Sequence, residues 1–459
     1  MKKLMMNEIC EAVKGRQILG KDESCINKVS TDSRAVGNGV LFVALIGENH
    51  DAHKFIPNAI ESGCSAFIVS DLTEIDKIKQ KESFDVILVE DTTKALQDLA
   101  AYYLTTFNLK KIGVTGSTGK TTTKDMLYYI CSEKYKTARN VGNLNNHIGL
   151  PLTVLGFEEG TEVGILEMGM SEFGEIHTLV DIVRPDIGII TNIGTSHIEN
   201  LGSREGILKA KLEITDYFDT NHTLVINEID DYLTREITKG AYKTVTIGNN
   251  GKSDYIISDI VDHGEEGIEF TVEHHLKTQH FKLPIPGRHN AINATLATAA
   301  AMQIGITMEQ AANGLAKMEL TDKRLNIKGK NGLKVIDDTY NASPDSMKAA
   351  IDVLMATRGM RKVAILADML EMGKESPSYH AQVGEYAAQQ KVDLLIAVGK
   401  DAKYIAQAAE NTGNQNVCYY SSKDKLMSEI GTIVHPGDII LVKGSRGMAM
   451  DQLVKKIME

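Results

Sequence analysis

At 459 residues the chain is too long for one hydrophobic core and, at roughly 150 residues per domain, predicts about three domains, which excludes a lone small binding module. Hydrophobic residues make up 42% and charged residues 24%, and Gly 39 stands against Pro 8, a globular balance that excludes collagen-like and Pro-rich disordered chains. Lys+Arg 50 against Asp+Glu 61 leaves a net charge of -11, so a nucleic-acid surface is disfavoured and any bound phosphate must be held locally.

In chain order, the N-terminal Met-Lys-Lys meets Glu8 and Glu11 before any apolar stretch forms, unlike a signal peptide. No apolar run approaches the roughly 20 residues a bilayer demands, so no membrane attachment is expected. The five cysteines, Cys10, Cys25, Cys64, Cys131 and Cys418, are odd in number and in no CxxC pair; a reducing cytoplasm fits them better than a disulfide framework or a zinc knuckle. Short strands are predicted at LFVAL (41–45), AFIVS (66–70) and VILVE (86–90), and a helix at KALQDLAAYYL. A boundary near residue 108 closes this small α/β domain, 1–108.

Beyond it, KIGVTG, VGILEMG, IGIITNIG and TLVIN alternate with helical patterns, the reading of a mostly parallel sheet covered on both faces. Residues 254–283 alternate with period two and predict an antiparallel annex, followed by the Ala-rich helix NAINATLATAAAMQIGI and by MEQAANGLAKM. That completes a central domain, 109–319. In 320–459, KVIDDTY, KVAILADM, DLLIAVG and DIILVKGS are buried strands of a Rossmann-like third domain. The expected fold class is thus α/β in three domains.

The strongest local signal is GVTGSTGKTTTKDML, in which a strand runs into Gly116, Ser117, Thr118, Gly119, Lys120, Thr121 and Thr122 and then into a helix. That is the context of a phosphate-binding loop: glycines let backbone N–H groups approach phosphates, the helix N-terminus adds positive dipole, Lys120 neutralises oxygens and the Thr121 hydroxyl suits Mg²⁺. Val114 stands where the usual Walker A pattern has its first Gly. Glu167 follows an apolar strand, where a P-loop enzyme needs a carboxylate for Mg²⁺, although a solvent-facing strand end reads the same way. His197, just past a strand tip, is by residue type a ligand or a loop histidine, and Lys211 on GILKAKLEI reads as a solvated face. Asn290 and Asn293 open an apolar helix, with capping the simpler account of Asn290. Asp337 and Asp338 end a strand where doubly wound folds bind ligands. Lys443 and Arg446 flank a glycine turn, as a carboxylate or phosphate receiver or as ordinary helix-start charges.

Taken in order, STDSRAV, FVALIGENHDAHKF, VTGSTGKTTTKDM, NVGNLNNHIGLPLTVL, EMGMSEFGEI, TNIGTSHIENLGS, DDTYNASPDSM and KGSRGMAM resemble the Mur ligase family of ATP-dependent amide-forming enzymes over essentially the whole chain. The resemblance implies an ADP-forming ligase of peptidoglycan synthesis, with ATP and two Mg²⁺ ions. It gives Lys120 the γ-phosphate, Thr121 the first Mg²⁺, Glu167 and His197 the second, and Lys211 carbamylation by CO₂, which turns a cation into a metal-binding anion. It gives Asn293, Arg324 and Asp338 contacts to ATP, and Asn146 a place in the substrate-facing loop. Ser33, Arg34, Gly47 and His50 fall in segments like the family's UDP-sugar site, and Tyr340, Asn341, Lys443 and Arg446 in the region that receives the incoming residue.

Within the family the chain most resembles ligases that add D-Ala-D-Ala to UDP-MurNAc-tripeptide. Ligases adding the third residue to UDP-MurNAc-dipeptide are the alternative, but they usually carry His-Thr-Pro where this chain has Tyr340-Asn341-Ala342-Ser343-Pro344. Thr339 and Ser343 stand where relatives often have Ser and Asn. A GTPase switch lacks support because no N-K-x-D string is present. A binding scaffold does not need Lys120, Thr121, Glu167 and His197 together, and a folylpolyglutamate synthetase-like enzyme leaves the first domain unexplained. A cytoplasmic, monomeric enzyme that closes about hinges is expected.

Overall fold

Apolar runs become strands wherever both faces of a sheet are covered. The structure is a computed structural model and describes residues 1–20, 24–48, 50–78, 84–319, 323–330 and 332–459; the expected boundary at 319–320 runs into residues outside that set. The chain forms two compact units.

The first unit comprises residues 1–113, 135–170 and 174–186. Its sheet holds β1 (Arg16–Leu19), β2 (Lys28–Ser30), β3 (Val40–Val43), β4 (Ala66–Val69) and β5 (Asp85–Leu88) in the order β1-β5-β4-β3-β2. Only β1 runs antiparallel to its neighbour. The three expected strands are the central ones; β1 and β2 are short, half-exposed edges with too few apolar residues to announce themselves. Phe67 holds the core between Phe42 and Phe84, edge-to-face at 6.3 and 6.0 Å. Helix α1 (Thr92–Thr105) starts where the Asp91 carboxylate accepts the N–H groups of Thr93 and Lys94. Strand β6 (Lys110–Thr115) begins in this unit, and β7 (Thr137–Arg139) pairs parallel with β8 (Val163–Glu167).

The second unit comprises residues 114–134, 171–173 and 187–459. It carries α2 (Lys120–Cys131), β9 (Ile187–Ile190), α3 (Arg204–Leu212), β10 (Thr223–Asn227), β11 (Lys243–Gly248), β12 (Tyr255–Asp262), β13 (Ile268–His274) and β14 (Lys277–Leu283). Strands β9 to β12 pair parallel in sequence, and β12, β13 and β14 are antiparallel, as the period-two alternation predicts. Helix α4 (His289–Met302) is buried on nearly every side, which its alanines permit, and α5 (Met308–Leu315) follows with a Thr307–Gln310 capping box.

A second sheet in this unit is doubly wound. Its elements are β15 (Asn326–Lys330), β16 (Leu333–Asp338), α6 (Pro344–Ala356), β17 (Arg361–Ala367), α7 (Ser376–Gln389), β18 (Leu394–Val398), α8 (Lys403–Asn411), β19 (Val417–Tyr420), α9 (Lys423–Ile433), β20 (Asp438–Lys443) and α10 (Asp451–Met458). The order is β15-β16-β20-β17-β18-β19, parallel except for β15. Period-two alternation divides the strands between two cores. Ile336, Ala364, Leu366, Leu395 and Leu441 meet α6, α7 and α8, while Val335, Val363, Ile365, Ile396 and Val442 meet α9 and α10. The last strand, β20, inserts between β16 and β17, so that three carboxyl ends, carrying Asp338, Lys443 and Ala367, lie side by side at the switch in strand order, where such sheets bind ligands.

Candidate active site

The phosphate loop is built by two glycines and braced by one neighbouring loop. Gly116 has φ +150°, and a Cβ there would stand 1.8 Å from Thr191 Oγ1; Gly119, at φ +77°, opens α2 with Asn293 Oδ1 2.7 Å from where its Cβ would be. Residues 191–196 supply the brace. Asn192 accepts the Thr118 N–H at 2.9 Å and donates to Thr118 Oγ1 at 2.6 Å, Thr191 Oγ1 donates to the Thr118 carbonyl at 2.5 Å, and Ser117 Oγ accepts the Gly194 N–H at 2.9 Å. Arg204 holds the brace from behind through the Ile193 carbonyl at 3.0 and 2.8 Å. Lys120 folds over the loop, its Nζ donating to Gly116 O at 2.7 Å and Ser117 O at 3.4 Å. Thr121 is buried and Thr122 half-buried on the first turn of α2.

Lys211 sits on α3 at 2% exposure, so the solvated-face reading of its helix is wrong: the helix turns this lysine inward. Burial, and then the charge of Lys120, hold its amine well below the ordinary lysine range, favouring the neutral form. His197 takes a left-handed conformation, φ 61°, at the N-terminus of a short helical turn. Its Nδ1 lies 2.5 Å from Glu371 Oε2, close but not aligned as a hydrogen bond. Burial lowers its basicity; Glu371 opposes this, and Lys120 and Lys211 reinforce it.

Asn293 is buried, its amide donating to Asn290 Oδ1 at 3.0 Å. Asn290 is not a cap: α4 begins at His289, and the Asn290 amide donates to the Pro286 carbonyl at 2.7 Å. Lys443, 2% exposed, donates to Asp338 Oδ2 at 2.5 Å and to the Asn341 carbonyl at 2.9 Å. Asp337 faces elsewhere, accepting from Thr339 Oγ1 at 2.7 Å and Lys328 Nζ at 2.9 Å. The Tyr340 ring carries the Arg324 guanidinium 4.1 Å from its centroid and that of Arg446 at 5.9 Å. Ser343 is buried and caps α6 in a box with Ser346.

In the first unit, Glu167 is 2% exposed. Its backbone exchanges hydrogen bonds with the Asn140 amide at 2.6 and 3.3 Å, and its Oε1 accepts from Asn145 Nδ2 at 2.7 Å. Asn146 is exposed, its Oδ1 accepting the Gly149 N–H at 2.8 Å. Ser33 is half-buried; the exposed Arg34 pairs with Asp32 at 2.9 Å and holds that carboxyl down at about 2. Gly47 donates to the His50 carbonyl at 2.8 Å, and both residues are exposed.

Comparison with known proteins agrees in order along the chain. The Mur ligase family, catalytic domain matches residues 25–104, the Mur ligase middle domain 114–301, and the Mur ligase, glutamate ligase domain 323–446. A Bacillus subtilis UDP-N-acetylmuramoyl-tripeptide–D-alanyl-D-alanine ligase is 41% identical, covering 100% of this chain and 99% of the relative. The chain belongs to the Mur ligase family. Among solved structures, MurF from Acinetobacter baumannii superposes with a TM-score of 0.90 at 31% identity, covering 100% of this chain and 99% of its own. MurF ligase from Thermotoga maritima in complex with ADP gives 0.82 at 29%, covering 94% and 97%.

As a Mur ligase, the chain gathers within its second unit the phosphate loop, His197, Lys211, Asn293, Arg324, Asp338, Tyr340, Asn341, Lys443 and Arg446. Sequence reading missed Asn192, Thr191 and Arg204, the brace of the phosphate loop, and Glu371 beside His197. Asn192 carried a signal, an amide two residues past the end of the strand IGII; Glu371 carried none.

Proposed function

We propose that this chain joins D-Ala-D-Ala to UDP-MurNAc-tripeptide with ATP, forming ADP and phosphate, the last cytoplasmic step toward the peptidoglycan pentapeptide precursor. Whole-length similarity to a relative bearing that activity carries the reading, and the braced phosphate loop supports it. A free carboxylate is a poor acyl donor because oxide would have to leave. Phosphorylation of the tripeptide carboxylate by the γ-phosphate makes phosphate the leaving group, and the dipeptide amine then attacks the acyl phosphate. Lys120 neutralises phosphate oxygens, while the N–H groups of the loop and the start of α2 hold the phosphates in register.

Two Mg²⁺ ions are part of the proposal, held by Thr121, Glu167, His197 and carbamylated Lys211, and when bound they offset charge on the transferring phosphoryl oxygens. The hydroxyl and carboxylate, and a carbamate on Lys211, would be hard ligands, and burial shifts the Lys211 amine toward the neutral form that adds to CO₂. Among the described residues no three or more His, Cys, Asp and Glu cluster as a metal site. Asn293, Arg324 and Asp338 serve ATP. Ser33, Arg34, Gly47, His50 and Asn146 serve the nucleotide-sugar peptide, and Tyr340, Asn341, Lys443 and Arg446 the dipeptide. Domains 1–108, 109–319 and 320–459 and a monomeric state belong to the same proposal. Phosphate release from ATP with UDP-MurNAc-tripeptide, with and without D-Ala-D-Ala, tests it. Dipeptide-dependent release with the pentapeptide mass supports it; release indifferent to the dipeptide overturns it.

A further inference from the structure

A cleft of about 240 Å³ in the second unit is lined by Ser196, His197, Tyr340, Glu371, Ser445 and Arg446 among others. It suits a ligand smaller than the drug-sized molecules that fill roughly 300–1,000 Å³. Its charges have different neighbours. Glu371 stands against His197, and the adjacent Ser196 reaches the phosphate loop, its Oγ donating to Ser117 O at 3.4 Å. Arg446 stands instead over Tyr340 and is exposed.

The Glu371 carboxylate is presented by a strained backbone. Its φ is +63°, a conformation a non-glycine residue holds only when its surroundings impose it. They do so at four points. The Asp368 carboxylate accepts the N–H groups of Lys400, Asp401 and Ala402 at 2.8, 3.0 and 2.7 Å, Met369 N–H donates to His380 Nε2 at 3.0 Å, Leu370 N–H to Ser445 Oγ at 2.9 Å, and Glu199 N–H to the Glu371 carbonyl at 3.4 Å. The side chain nonetheless keeps 52% exposure, a fixed carboxylate open to a ligand.

We infer that Glu371 binds the α-ammonium of the incoming dipeptide and that Arg446 takes its carboxylate; the inference rests on the ligase reading above. D-Ala-D-Ala is a zwitterion whose nitrogen must reach the carboxyl activated at the phosphate loop, so the reader of the nitrogen belongs on the side of the cleft tied to that loop. Glu371 is on that side through His197 and Ser196. Glu371 is therefore a specificity residue for the amine.

The test measures KM for D-Ala-D-Ala, ATP and UDP-MurNAc-tripeptide in wild type, Glu371→Gln and Glu371→Asp, with calorimetric binding of D-Ala-D-Ala and of propionyl-D-alanine, which lacks the amine. Loss of one charge-assisted contact raises the dipeptide KM of Glu371→Gln roughly ten- to a hundredfold, with the other two KM values unmoved. Glu371→Asp recovers part of the loss, and Glu371→Gln no longer prefers the amine-bearing ligand. An unchanged dipeptide KM, or equal rises for all three substrates, overturns the inference while leaving the ligase reading intact. A wild type that makes no pentapeptide overturns both.

Discussion

Lys211 is the residue where fold and function conflict most. Its amine is carried to 2% exposure with another cation, Lys120, acting on it, and a buried amine deprived of its charge costs folding free energy. Replacing Lys211 with Met removes that cost and removes the nucleophile for CO₂. The expected outcome is a thermal midpoint equal to or above wild type, with dipeptide-dependent phosphate release reduced by about a thousandfold, the scale of a lost transition-state electrostatic contact. A lower midpoint would identify the lysine as a structural link. At this scale the sequence was legible where spacing carries the chemistry, as in Gly116 to Thr121, and illegible where burial does. Lys211 and Lys209 share one helix and one residue type, and only packing turns Lys211 inward. Glu371 depends on a backbone angle and on six partners of residues 368–371, none of them adjacent to it in sequence.

The phosphate loop and residues 191–196 form one element in the energetic sense, because neither backbone is satisfied without the other. Asn192→Ala deprives the Thr118 N–H of its acceptor and is expected to cost about 1–3 kcal/mol, seen as a lower midpoint and a weaker rise on adding ATP. Gly116→Ala sets a Cβ 1.8 Å from Thr191 Oγ1 at a φ of +150°. It is expected to abolish nucleotide-induced stabilisation even where the variant folds; a variant melting like wild type and still protected by ATP would show that the loop is loosely held. Elements were legible according to burial. The strands β3, β4, β8, β9, β10, β17, β18 and β20 are continuous apolar runs. By contrast, β1, β2, β7, β15 and β19 are short or half-exposed and are held by pairing rather than by composition. The Asn290 cap failed for a related reason: a helix start is defined by backbone geometry, and the turn begins before the amide.

For the whole molecule, buried titratable groups set a pH profile of stability whose sign can be worked out group by group. His197 and His289 both lie below the ordinary 6.5, each chiefly through burial, so below that pH the unfolded chain takes up protons the fold refuses, and stability is lost as pH falls. Lys211 acts in the same direction over a wider range: up to 10.5 the unfolded amine holds a proton that the fold disfavours, so stability rises with pH. Burial pushes Cys131 from 9.0 up to about 12 and Tyr255 from 10.0 up to about 12. Above those unfolded values the unfolded chain releases protons the fold retains, and stability falls toward pH 12. These groups therefore displace the optimum to the alkaline side of the pH 5–8 common in globular proteins. Calorimetric midpoints from pH 5 to 11, in CO₂-free buffer without nucleotide, check it. Lys211→Met should lessen the rise that runs up to pH 10.5 while leaving the alkaline fall in place. A rise as steep in the variant as in wild type would mean that the Lys211 amine keeps its proton in the folded protein, and would remove the physical basis for its reaction with CO₂.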